Sequence, residues 1–333
     1  MPFEIIRNDI TKMQVDAIVN SAHPTPDVGG GVDAAIHAAA GPELLEAYRN
    51  HGPLIRGTAF LSPGFGLPAK HVIHTVGPVW EDGTRGEAMI LRSCYESCLR
   101  IAAEAKFESV AFPLISAGVF GFPREEALTV AIAAISAFVL KVDMTVYLVV
   151  FDRASFALSE RLVAKVESYV TDVEIRRSVQ ELRIQYDRAP HFHDERVSTR
   201  NNLRMPRPVR SLKDLARQLD ETFTEALFRL IDTRGKTDVE VYKKANIDKK
   251  HFAKIRADRH YQPRKPTVFA FAFALELNVD ETKDLLLRAG FAISHSFAFD
   301  VLCESYLRHR NYNIFELNQV LFDLDLPLVG TFG

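Results

Sequence analysis

The stretch SAHPTPDVGGGVDAAIH, residues 21–37, sets three consecutive glycines at the mouth of a helical run and an acid two residues beyond the last of them. The residues leading into it, AIVNS at 17–21, are apolar almost throughout and read as a strand buried on both faces. Those following, from Val32 to Ala40, read as a helix. A strand, a glycine-rich turn and a helix in that order leave main-chain N–H groups unscreened by side chains, and the helix N-terminus adds positive potential, so the loop suits a phosphate. The spacing matches neither the P-loop nor the dinucleotide fingerprint. On the triplet alone, a flexible connection whose Asp33 complements the helix dipole fits equally well.

A second segment changes that balance. LISAGVFGF at 114–122, bracketed by Pro113 and Pro123, again sets small residues directly after a buried strand and before a proline-started helix. Two such loops after two strands of one parallel sheet would share its carboxyl edge, where α/β proteins bind ligands. Their combined preference is for a ligand with two phosphates and a sugar.

The remaining first half supports a layered α/β domain. Strand-like runs fall at 3–7, 17–21, 57–62, 71–75, 109–112 and 145–150, alternating with helical patterns at 88–103, after Pro123 and after Phe151. Past Asp172 the texture changes: residues 196–210 hold five arginines and no acid, which reads as a linker. From Leu212 the apolar positions step by three and four nearly to the end, predicting an all-helical second domain. A chain of 333 residues accommodates two domains at roughly 100–200 residues each. The divisions expected are 1–172, a basic linker at 173–210, and 211–333.

Composition excludes several function classes. With 41 Lys and Arg against 43 Asp and Glu, the formal net charge of -2 exerts no global pull on nucleic acid. No apolar run is long enough to span a bilayer. The opening residues lack the basic and apolar regions of a secretory signal, and three cysteines are too few for a disulfide framework, so a cytoplasmic location is expected. Cys94 and Cys98 lie four apart on a helix but have no second Cys/His pair at zinc spacing, and His191 and His193 beside Asp194 are isolated; no metal and no cofactor is predicted.

NDIT at 8–11, VDAIVNSA at 15–22, GGGVDAAIHAAAG at 29–41, HVIHTVGPVW at 71–80 and SAGVFG at 116–121, in this order and spacing, resemble a macrodomain over residues 1 to about 170. The resemblance implies a three-layer α/β/α sandwich around a mixed six-stranded sheet that binds ADP-ribose. It implies that Asp9 bonds the adenine amine and that the Ile10 main chain contacts the base. Asn20 would hold a hydroxyl of the distal ribose, and Gly29, Gly30, Gly31 and Val32 would hug that ribose and the pyrophosphate. Ser116, Ala117, Gly118, Val119 and Phe120 would close over the pyrophosphate from the other side, and Phe151 would stack on adenine. In the hydrolytic branch of the family, which removes ADP-ribose from acidic side chains or acetyl from O-acetyl-ADP-ribose, an Asn and an Asp matching Asn20 and Asp33 are the working pair. Asp33 beside the anomeric carbon can orient or deprotonate a water. One departure is His23, which stands where many members carry a second Asn; a His there can serve as a donor or alter the pH profile, and a solvent-facing loop residue fits it equally. The leading expectation is an ADP-ribosyl hydrolase that takes ADP-ribose off acidic side chains or acetyl off O-acetyl-ADP-ribose, with ADP-ribose or an ADP-ribosylated protein as its partner; the alternative is a non-catalytic sensor of ADP-ribose or a related NAD metabolite coupled to a DNA- or protein-binding helical domain.

The segment 237–260 has the form helix, short turn at 246–248, helix, and with the following patterns it resembles the Cro and phage-repressor type of helix-turn-helix. That resemblance implies a second helix presenting Lys249, Lys250, Lys254, Arg256 and Arg259 to phosphates. A protein-interaction or dimerisation module whose lysines form a solvated face fits the same residues. The partner is thus DNA or protein, and not a membrane.

Overall fold

The computed structural model describes residues 2–151, 158, 161–171 and 221–330. Six strands, β1 (Phe3–Arg7), β2 (Ala17–Ser21), β3 (Ala59–Pro63), β4 (His71–Thr75), β5 (Ser109–Pro113) and β6 (Thr145–Val150), form one mixed sheet in the order β1-β6-β5-β2-β4-β3. All neighbours pair in parallel except β3 and β4. β3 begins at Ala59 rather than at the expected Gly57 because Gly57 sits at φ +84, which no strand accommodates.

Alternation along the strands builds the layers. Ala17 and Val19 face α3 (Glu87–Glu104) and α4 (Arg124–Val139), joined there by Val110, Phe112, Val146 and Leu148. Ile18, Val72, Ala111 and Val149 face the other way, against Ile36 of α1 (Val32–Ala40) and Leu44 of α2 (Pro42–His51). Both faces are therefore covered, as parallel strands require. Cys94 and Cys98 are fully buried on α3 within the first of these cores. A further helix, α5, spans 161–171.

The described residues from 223 to 323 are helical: α6 (Phe223–Thr233), α7 (Asp238–Lys244), α8 (Lys249–Ala257), α9 (Lys265–Ala274), α10 (Val279–Arg288), α11 (Ala298–Arg308) and α12 (Ile314–Asp323). Capping boxes at Thr222, Thr237 and Asn278 start α6, α7 and α10 by satisfying first-turn N–H groups. α9 is apolar all round, with residues 267–274 buried throughout, and forms the axis on which the other helices pack. The arginine-rich segment expected as a linker, with His191 and His193, lies outside the described residues, as do Leu212, Leu215 and Leu219. Among the described residues, no helix is long and apolar enough to cross a membrane.

The two halves meet along the open edge of the sheet. Asn246, in the turn between α7 and α8, accepts from Phe3 N at 2.7 Å and donates to Phe3 O at 2.9 Å, so its side-chain amide stands in for the next strand. The Phe3 ring lies 5.9 Å from that of Phe315, and the Arg7 guanidinium sits over Phe322 at 4.9 Å while pairing with Asp325. Strand β1 leads from this interface directly to the cleft described next.

Candidate ligand cleft

The carboxyl ends of β2, β5 and β6 lie at one edge of the sheet, and two adjoining cavities open there. The larger, about 570 Å³, is lined by Asn8, Asp9, Ile10, Gly31, Val32, Ala35, Pro113, Leu114, Ala117, Gly118, Arg124, Val149, Val150 and Phe151. The smaller, about 150 Å³, is lined by residues 21–23, 29–33, Leu114, Ser116, Gly118, Val119 and Phe120. They share Gly31, Val32, Leu114 and Gly118, so a ligand spanning both passes between the two glycine loops.

Asp9, Ile10, Gly31, Val32, Ala117, Gly118 and Phe151 thus stand at the larger cavity. His23, Gly29, Gly30, Asp33, Ser116, Val119 and Phe120 stand at the smaller one. Asn20 lines neither: it is fully buried behind the wall that Ser21, Ala22 and Asp33 make.

Each group owes its place to local physics. Asp9 caps the short helix Ile10–Lys12, accepting from Thr11 N at 3.0 Å and Thr11 Oγ1 at 2.7 Å. The Thr11 hydroxyl, chiefly, holds its carboxyl below the usual range. An oriented carboxylate at the cavity rim accepts from an exocyclic amine. Phe151, 76 % exposed at the end of β6, offers a ring face to a base. Gly31 enters α1 at φ +63 with no side-chain cap, which leaves the first-turn N–H groups of a nine-residue helix open to an anion. Gly30 faces Val119 so closely that a Cβ would sit 3.2 Å from its Cγ2; a larger residue there would narrow the passage. Opposite, Ser116 takes φ +64, a strained value for a residue with a side chain, and its buried hydroxyl has no partner among the described residues.

Beneath the smaller cavity runs a buried polar row. Asp33 in the first turn of α1 is 1 % exposed; its Oδ2 accepts from Gly29 N at 2.6 Å and its Oδ1 from Asn20 Nδ2 at 2.6 Å. His37, one turn along α1, brings Nε2 to 3.5 Å from Asp33 Oδ1. Burial drives the His37 pKa down, and the Asp33 charge opposes that shift. Asn20 Nδ2 also lies 3.3 Å from His74 Nδ1 on β4, whose Nε2 is 2.9 Å from Ser62 Oγ on β3. Tyr48 of α2 donates to the His23 main-chain oxygen, and burial followed by the Asp33 charge pushes its phenol up to about 12. His23 itself turns to its own loop, its Nδ1 lying 2.8 Å from Thr25 Oγ1. His37, His74, Ser62, Tyr48 and Arg124 did not figure in the sequence reading. An Asp and a His four apart on one helix face signal His37, and a polar residue on the inward side of an apolar strand signals His74.

In the helical half, Lys249, Lys250, Lys254, Arg256 and Arg259 are all exposed on or just beyond α8. Arg256 pairs with Asp238 at 2.6 Å and Arg259 with Glu225 at 2.7 Å. Among the described residues, no carboxylate pairs with Lys249, Lys250 or Lys254.

A family model described as Macro domain matches residues 19–131. A Macro domain-containing protein of Methanosarcina mazei is 45 % identical over 164 residues, 49 % of this chain and 88 % of that protein. An O-acetyl-ADP-ribose deacetylase of Salmonella gallinarum is 45 % identical over 168 residues, 49 % of this chain and 94 % of that enzyme. Among solved structures, the Trypanosoma brucei macrodomain in complex with ADP-ribose is 36 % identical, covering 46 % of this chain and 65 % of that one, with a TM-score of 0.43.

Proposed function

The chain belongs to the macro domain family through its first half, and on that premise we propose that it is an ADP-ribosyl hydrolase, cutting esters of the distal ribose in O-acetyl-ADP-ribose or in ADP-ribosylated acidic side chains. The observation that carries this reading is the buried carboxylate of Asp33 at the wall of the smaller cavity, coupled to Asn20. Desolvating a charge is unfavourable, and a carboxylate held at a cavity wall with lone pairs left over can order a water there.

In this reading Asp9 and Phe151 take adenine in the larger cavity, and the glycine loop with residues 116–120 encloses the pyrophosphate. The distal ribose reaches the smaller cavity. A carboxylate has about four lone-pair positions, and the bonds from Gly29 and Asn20 use two. Asp33 therefore still accepts from a water and directs it at the ester. The water oxygen bonds to the acyl carbon, the acyl–oxygen bond to the ribose breaks, and a proton passes to the ribose oxygen. His23, at the same cavity, is placed to donate to that region once its contact with Thr25 is given up.

The identity to proteins named O-acetyl-ADP-ribose deacetylase supports the ester as the bond cut. The test is incubation of the full chain with O-acetyl-ADP-ribose and, separately, with a protein ADP-ribosylated on glutamate, with mass spectrometry of the products. Release of ADP-ribose from neither would end the hydrolase reading.

One observation favours the sensor as a second reading. Lys249, Lys250 and Lys254 lie exposed on α8 without carboxylate partners among the described residues, a surface that suits phosphates. If it takes up duplex DNA, changing these three lysines to Glu in the full chain should abolish retardation of a DNA fragment at low salt and leave ADP-ribose binding intact. Retardation unchanged by the triple substitution would remove DNA from this reading.

A further inference from the structure

β1 is an edge strand, and the nucleotide cleft begins where it ends. On one side it pairs with β6 as far as Arg7 and Val150; on the other it has no strand. The helical half takes that open side at both ends. Asn246 and Phe315 hold Phe3 at the start. At the finish, Arg7 lies over the Phe322 ring at 4.9 Å, donates to the Phe322 main-chain oxygen at 3.4 Å and pairs with Asp325. The next residues, Asn8, Asp9 and Ile10, line the larger cavity, as do Val149, Val150 and Phe151 at the end of β6. The far side of this turn is rooted in a core of the sheet through Ile10 and Met13. Its near side is rooted through Asn8 N, which donates to Val150 O at 3.1 Å, and through Arg7.

Asp325 is an unusual occupant of its position. α12 closes with Leu326 N donating to Leu321 O at 2.8 Å and Asp325 N to Phe322 O at 3.2 Å, a Schellman ending in which Asp325 is the left-handed residue at φ +54. Glycine is usual there, because a side chain is strained in that conformation. Here the place is held by a carboxylate, and that carboxylate pairs with the residue just before the cavity. We propose that the end of α12, through Phe322 and Asp325, is a positioning element that fixes the end of β1 and with it the turn 8–10 that takes the base, so that nucleotide binding and docking of the helical half reinforce each other. This rests on the ADP-ribosyl reading above.

The experiment is calorimetric titration of the full chain with ADP-ribose, for the wild type, Asp325→Gly, Asp9→Ala and the double variant. Asp325→Gly removes the carboxylate and supplies the residue that the left-handed position favours, so the helix ending itself is kept. It should weaken ADP-ribose about threefold, the scale of an exposed ion pair. In the Asp9→Ala background the same substitution should leave affinity unchanged, since the contact it acts through is already gone. Weakening by the same factor in both backgrounds, or no weakening in either, would overturn the proposal. Should Asp9→Ala bind too weakly to titrate, amide hydrogen exchange of the wild type decides. Linkage is reciprocal, so saturating ADP-ribose should slow exchange of the Phe3 amide, which donates to Asn246, by at least about threefold. Unchanged exchange at Phe3 overturns the proposal in the same way. A wild-type chain that binds no ADP-ribose refutes the nucleotide reading itself, an outcome distinct from all of these.

Discussion

Asp33→Asn is the smallest change that tests how the cleft is held together, and the structure predicts that it is not conservative. The carboxylate accepts on both oxygens, from Gly29 N and from Asn20 Nδ2, each at 2.6 Å. An amide of the same shape has one oxygen, so its NH₂ must face one of those two donors. Rotating Asn20 to offer its oxygen helps only if His74 also changes tautomer, so that Nδ1–H donates to that oxygen while Ser62 Oγ turns to donate to Nε2. Either one mispaired contact or a concerted rearrangement of Asn20, His74 and Ser62 is therefore forced, at a residue 1 % exposed. A hydrogen bond to a charged group contributes about 1.5–3 kcal/mol and an unsatisfied buried group costs about 1–3 kcal/mol, so a loss of roughly 2–4 kcal/mol is expected. Urea unfolding followed by the fluorescence of Trp80, the chain's single tryptophan, reads this as a lower midpoint with unchanged slope. Glu96→Gln is the control, since among the described residues that exposed acid pairs only with Arg92 four residues away, and its loss should cost about 0.3–0.5 kcal/mol. A loss for Asp33→Asn no larger than the control would refute the argument that both oxygens are structurally committed.

Other outcomes follow from the same structure. His74, held down to about pKa 3, is neutral in the fold but protonates near 6.5 once unfolded, and burial lowers His37 in the same direction. The unfolded chain then binds more protons, so stability should fall as pH drops from about 6.5 toward 5, by up to about 1.4 kcal/mol per unit from His74, with His37 acting in the same direction. Urea midpoints across that range should show a shallower slope in His74→Phe, and an unchanged slope would contradict that attribution. Asn246 sits at φ +54 and bridges Phe3 N and O. Asn246→Gly keeps that backbone and should still cost about 1–3 kcal/mol by uncovering the β1 edge, read in the same unfolding assay; a neutral result would mean the edge is held by the contacts of Phe3 with Phe315 and of Arg7 with Phe322 and Asp325.

Much of the fold is legible in the chain because its signals are local. Apolar runs bounded by Gly and Pro mark the strands, and Pro123 announces α4. α2 escaped because PELLEAYRNH at 42–51 is short and polar, with only Leu44 and Tyr48 buried. The cleft divides in the same way. Loop residues such as Gly31 and Ser116 are legible from composition beside a strand. His74 is not, since its contact with Asn20 arises from strand register with a residue 54 positions away. Asn246 reads as the turn of a helix-turn-helix, yet what it does in the fold is pair with an edge strand 243 positions away, a relation no local pattern carries.

The hydrolytic role of Asp33 is tested most directly by a single-turnover measurement on the full chain. Enzyme in excess over O-acetyl-ADP-ribose is followed by chromatography of the products, for the wild type and for Asp33→Ala shown by Trp80 fluorescence to be folded. The wild type should convert the ester to ADP-ribose and acetate, and Asp33→Ala should be slower by about 10² to 10⁴, the usual contribution of a group that directs or deprotonates the attacking water. Equal rates in the two proteins, or binding without conversion in the wild type, would contradict that role.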